Sequence, residues 1–131
     1  MWQSRRSRWH EQGQTLVEFV LILPLLLLLG IAEFTIAVLS YNTLADAARQ
    51  GARYGIVHPT DVASIEAVAR DATSWLDQDA LTFTVNPDMG ARTINVLAQY
   101  DLRLISGVII EAVGGNPTVN LRAISTMQME Y

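Results

Sequence analysis

Between Leu16 and Leu39 the chain is apolar at almost every position; only Glu18 and Glu33 interrupt the run, and no charge falls between Phe19 and Ala32. Crossing a hydrocarbon layer of about 30 Å takes about 20 apolar residues as a helix. The run predicts one membrane-spanning helix. Pro24 is its single breaker, tolerated in such helices at the cost of a kink. After Tyr41 the pattern becomes amphipathic: Leu44, Ala48 and Ala52 lie four apart, while Asp46, Arg49, Gln50 and Arg53 mark wetter faces. The same helix therefore leaves the bilayer and continues to about Ile56. Along it Ala45, Ala48, Gly51, Ala52 and Gly55, like Gly30 further up, are small enough for a second backbone to come close.

His58-Pro59-Thr60-Asp61 is a break, with Thr60 or Asp61 suited to cap a following helix. Val62, Ile65, Val68, Ala69, Ala72, Trp75 and Leu76 recur at three- and four-residue steps, which predicts an amphipathic helix from Asp61 to Gln78. Glu66 and Arg70 are spaced to pair on its surface. The remainder alternates as strands do. Leu81–Val85 is the first, and Asn86–Gly90 reads as a turn. In the second, Ile94, Val96, Ala98, Tyr100 and Leu102 share one face. The last begins near Thr118, with Val119, Leu121, Ala123, Met127 and Met129 facing inward. Its Asn120, Arg122, Thr126, Gln128 and Glu130 face outward. Residues 105–117 between them are unusually apolar for a connector, either a short helix closing the core or a patch that meets a neighbouring subunit. The class is α+β: a long N-terminal helix, a second amphipathic helix and a small three-stranded antiparallel sheet. The expected organisation is a basic leader over 1–13, the long helix over 14–56, and a small exported domain over 57–131.

Charge orients this arrangement. Arg5, Arg6 and Arg8 precede the apolar run against Glu11 alone, which places that end in the cytoplasm and the C-terminal domain outside. Trp2 and Trp9 suit the membrane interface. A secretory signal would have a shorter apolar region followed by an A-x-A-like site. Here the first such site is Ala45-Asp46-Ala47, so the segment is retained or processed differently. The chain has no cysteine, hence no disulfide and no thiolate chemistry. An acidic exported domain argues against nucleic acid as a partner. His10 belongs to the polar leader and His58 to a loop, and neither is read as a metal ligand. We find no nucleophile–base arrangement, metal cluster or phosphate loop; Gly114-Gly115 is an isolated turn signal. An enzyme, a cofactor and a small-molecule substrate are not expected.

Three stretches resemble the TadE-like proteins of the tight-adherence (Tad/Flp) pilus system. They are Val17-Glu18-Phe19 with Leu23-Pro24-Leu25, Gly30-Ile31-Ala32-Glu33-Phe34, and Ala45-Asp46-Ala47-Ala48-Arg49-Gln50-Gly51-Ala52-Arg53-Tyr54. Gly13-Gln14-Thr15-Leu16-Val17-Glu18-Phe19 looks like the processing motif of type IV pilin-like proteins, a small residue at the cut and an acid five positions on. The resemblance implies cleavage between Gly13 and Gln14 by a membrane prepilin peptidase, then extraction by an ATP-driven assembly platform. It also implies other pilin-like subunits as partners, in a homo- or hetero-oligomeric helical filament. Major Flp pilins are shorter and have Glu-Tyr where this chain has Glu18-Phe19; many type IV pilins begin with Phe where this one would begin with Gln14. The departures favour a minor pilin or pseudopilin.

A cut there frees an α-amine at Gln14 that Glu18 of a neighbouring subunit can meet. Such a buried pair sets register better than affinity. The alternative for Glu18 is an interfacial acid at the edge of the bilayer. Glu33 lies about 8 Å from the middle of the apolar span at ~1.5 Å per residue, and reads as a packing contact. Two functions follow: a processed structural subunit of an extracellular filament, or a membrane-retained accessory of the assembly machine that never polymerises. Adhesion, secretion and surface growth are the roles such a filament could serve.

Overall fold

The computed structural model describes residues 3–130, with side chains from Glu11 onward. Trp2 and Tyr131 lie outside the described residues, as do the side chains of Arg5, Arg6, Arg8, Trp9 and His10. The elements in order are α1 (Gln3–Val57), α2 (Val62–Asp71), a 3-10 turn (Gln78–Ala80), β1 (Leu81–Asp88), β2 (Thr93–Arg103), α3 (Gly107–Ala112) and β3 (Thr118–Gln128). The fold is α+β as the periodicities predict. The chain divides into two units, Met1–Phe34 and Thr35–Tyr131. Helical backbone begins at Gln3 and not at Gln14, so Gly13 and Gln14 sit within a helix.

In the second unit the three strands form an antiparallel sheet in the order β1-β2-β3. Phe83 pairs with Ala98 and Ala98 with Ala123, while Val85 pairs with Val96 and Val96 with Ser125. This register lines Leu81, Phe83, Ile94, Val96, Ala98, Tyr100, Leu102 and Ala123 on one buried face. Against that face lie Leu44, Ala47, Ala48 and Ala52 of α1, Ile65 and Ala69 of α2, and Leu76. All five alternate residues of β2 expected to face inward do so. Val119 shares the inward face of β3 but remains 41 % exposed, because it pairs with Leu102 at the last rungs of the sheet.

Two local readings change. The turn expected at residues 86–90 starts three residues later, since Asn86, Pro87 and Asp88 still pair with Asn95, Ile94 and Thr93. β1 is an edge strand, where a proline without an N–H is accepted. Asp88 then makes the turn by accepting from Gly90 N (2.9 Å) and Ala91 N (3.0 Å). The second helix is also shorter than its periodicity predicts. It stops at Asp71, where Thr73 N and Thr73 Oγ1 both donate to Arg70 O, at 3.1 and 2.8 Å. Gln78 Nε2 satisfies the carbonyls of Thr73 and Leu76 that no longer have helical partners. Threonine competes for backbone groups in this way. The tightened turn buries Thr73 and Leu76 and sends Trp75, expected on the apolar face, out to solvent. The predicted Glu66–Arg70 pair forms at 2.9 Å, and Arg70 also lies over the Phe83 ring, 5.4 Å from its centroid.

Asp61 caps α2, accepting from Ser64 N at 3.1 Å. Hydrogen bonding from Ser64, side chain first and backbone second, holds the Asp61 carboxyl below the usual carboxylate range; His58 adds to this. A carboxylate with a depressed folded-state pKa contributes stability above its unfolded value and loses it as pH falls through the folded one. Asp61→Ala is expected to lower the melting temperature of the second unit at neutral pH, and the difference from the parent chain should close at acid pH. Thermal scans of both chains across that range measure it; a constant gap would remove the cap's charge from the account.

The tightest of the described glycine positions in this unit is Gly55, where an added Cβ would run into Ile94 Cδ1. Overpacking of this kind costs about 1–3 kcal/mol. Gly55→Ala should therefore destabilise the unit by that amount in denaturant titration. Ile94→Val removes the clashing atom, so the double variant should be more stable than the sum of the two single losses.

Candidate functional site

The described residues of the first unit are all helix, and the apolar run that begins in this unit continues to Leu39 in the second. From Leu16 to Leu39, sixteen large apolar side chains are exposed, Leu16, Phe19, Leu27 and Phe34 each by more than 60 %. Among the described residues there is one helix long and apolar enough to cross a membrane, and none of its most apolar window is buried within the protein. A core helix of a soluble protein would be covered. Leaving a Leu, Ile or Phe side chain in water forgoes about 1.5–3 kcal/mol. Summed over this stretch the deficit is large, and only lipid or other chains can offset it.

At the start of this surface, Thr15 Oγ1 donates to Glu11 O at 2.9 Å and Gln14 Nε2 to Glu18 Oε1 at 3.4 Å. The structure thus brings Gln14 and Glu18 together on one face, one helical turn apart. Phe19 stands exposed beside them. Pro24 lies inside the helix and supplies no N–H to the carbonyl four residues before it. Glu33 is half-buried.

The glycines of α1 divide into two kinds. Gly51 and Gly55 are needed inside the protein: a Cβ at Gly51 would meet Ala69 Cβ at 3.2 Å and Val96 Cγ1 at 3.5 Å. With Ala48 and Ala52 they form the small-residue face on which α2 and β2 rest. Ser40, buried completely, belongs to the same face. The steps Ser40, Leu44, Ala47, Ala48, Gly51, Ala52 and Gly55 carry that signal, but Ser40 is hidden in the sequence by the apolar run around it. Gly13 and Gly30 are the other kind. A Cβ at either would meet nothing within 4 Å. A helical glycine costs roughly 0.5–1 kcal/mol relative to alanine. The fold therefore has no use for glycine at these two positions.

Residues 13–53 match the family model of TadE-like proteins. The resemblance read from the sequence is thereby borne out over this segment, which begins at Gly13 and ends inside the small-residue face. No curated protein and no solved structure matches the chain.

Gly13→Ala and Gly30→Ala are expected to leave the denaturant stability of the second unit unchanged within about 0.5 kcal/mol. Any larger loss would mean that the fold, and not a partner, requires those glycines.

Proposed function

From the premise of a TadE-like segment over residues 13–53, we propose that the chain is a single-pass membrane protein of a Tad-type pilus system, made as a precursor and assembled as a structural subunit. Its N-terminus is cytoplasmic and its second unit lies outside. Prepilin peptidase cuts between Gly13 and Gln14, and the shortened chain joins other pilin-like subunits at the assembly platform to become part of an extracellular filament. The role is structural; it requires no cofactor, metal, nucleic acid or small-molecule substrate.

One observation carries this reading: an apolar helix of membrane length with none of its most apolar window buried inside the protein. Lipid covers such a surface before assembly, and neighbouring helices cover it afterwards. Two further observations support it. Gly13 is a glycine the fold does not use, as expected of a residue chosen by a peptidase that accepts only a small side chain there. Gln14 and Glu18 share a helix face, which puts the acid within a turn of the new α-amine. In a filament, Glu18 pairs with the amine of a neighbour and sets the axial register. Gly30 is open to another helix in the same way.

A membrane-retained accessory is the second reading. Gln14 and Phe19 depart from the pilin pattern, and the second unit closes its own core without a neighbour. The two are separated by the mass and N-terminal sequence of the chain in a sheared extracellular fraction. We expect a start at Gln14 in that fraction; full-length chain confined to the membrane would select the accessory. Gly13→Leu should leave the precursor uncut. Glu18→Ala should be cut normally yet incorporated about a hundredfold less, because an amine left buried without its partner is strongly unfavourable. Normal incorporation of Glu18→Ala would remove the register role.

A further inference from the structure

The connection between β2 and β3 is a built structure. Leu104 N donates to Pro117 O at 2.9 Å across its base, and Gly107 is buried with Pro117 at its back. α3 is closed by Gly114, two residues past its last helical residue, whose φ of +82° suits glycine. Gly114 N donates to Glu111 O (3.0 Å) and Gly115 N to Ile110 O (2.8 Å). These are the paired bonds of a glycine C-cap, so the isolated Gly-Gly signal is a helix stop. Arg103 and Glu111 approach to 3.8 Å beside it. The result turns one stripe outward: Ile105, Val108, Ile109 and Val113 are 61, 78, 54 and 80 % exposed. Two antiparallel strands need only a two-residue turn to join them. The fold does not account for this stripe.

Its place within the second unit is set by the packing of α1 on β2. Gly55 lies against Ile94 and Gly51 against Val96, so the two elements run in opposite directions. Going back along α1 from Gly51 to Thr35 covers about 24 Å at ~1.5 Å per residue. Going forward along β2 from Val96 to Arg103 covers about 23 Å at ~3.3 Å per residue. α3 therefore lies at the end of the unit where the chain enters at Thr35, and the Met89–Arg92 turn lies at the other end.

We propose that this stripe is a lipid contact: Ile105, Val108, Ile109 and Val113 rest in the interfacial layer of the bilayer that α1 crosses. The inference rests on reading α1 as a membrane span. Four side chains are far short of the roughly 20–30 residues a side of a stable protein interface. The flanking charges, Arg103 and Glu111, answer each other and offer no pattern to a charged partner. Lipid needs neither area nor pattern when the chain is already tethered, because the tether makes the local concentration high. An apolar face backed by polar residues is the form such interfacial contacts take.

The chain has no cysteine, so single-cysteine variants can carry a fluorophore without further change. Leu26→Cys, Val108→Cys and Met89→Cys, all at exposed positions, are labelled in the full chain and reconstituted in phosphatidylcholine vesicles containing nitroxide lipid. The expected result is several-fold quenching at residues 26 and 108 and little at 89, insensitive to salt. Quenching at 26 with residue 108 behaving like 89 would overturn the proposal and leave the span standing. No quenching at 26 would overturn the span and the proposal together. Residue 108 shielded from aqueous iodide but out of reach of the nitroxide would mean that a second copy covers the stripe, which also overturns it.

Discussion

The second unit depends on a helix lying close to a sheet, and that closeness depends on missing side chains. Where α1 passes over Ile94 and Val96 it presents Gly55, Gly51, Ala52 and Ala48, so the branched residues of β2 fill the space that larger helix residues would have occupied. Ile65 and Ala69 of α2 enter the same seam from the side. Tight interdigitation of this kind is intolerant of added volume. Everything else in the unit follows from it. The sheet register is held because Ile94, Val96, Ala98, Tyr100 and Leu102 must all face that helix, and a slip by one residue would turn the whole set away.

Along the same helix, closeness is prepared for but unused in the first unit. Gly13 and Gly30 have nothing near them, and the leucines around them are bare. One element thus carries two surfaces with different partners. The later surface is completed by the chain itself. Nothing among the described residues completes the earlier one; in our proposal lipid, a processing enzyme at Gly13 and other helices do so. An exposed carboxylate within that apolar surface is costly unless it is answered, which is why Glu18 belongs to the assembly step in our account.

The β2–β3 connection repeats the theme on a smaller scale. It uses Pro117, Gly107 and the Gly114 cap to hold a few exposed apolar residues at one end of the unit. The polar side chains on the open face of the sheet are, by contrast, satisfied locally. Asn120 Nδ2 donates to Asp101 at 2.6 Å, and Arg122 Nε donates to Asn120 at 2.9 Å.

Much was legible in the sequence because it rests on short-range periodicity. The apolar run of Leu16–Leu39, the stripe Leu44-Ala48-Ala52 and the alternation from Ile94 to Leu102 each declare an element and its buried face before any contact is known. The TadE-like motifs lie within that same readable helix. Other features were decided by tertiary structure. Trp75 fits the helical spacing, but the bonds Thr73 and Gln78 make to local carbonyls end the helix before it. Pro87 signals a turn, yet an edge position lets it stay in the strand. Spacing puts Gly51 and Gly55 on the stripe of Leu44, Ala48 and Ala52, but it could not show that the fold packs against those two and leaves Gly13 and Gly30 open. Periodicity records which way a residue faces. Only the packed structure shows whether anything stands there to meet it.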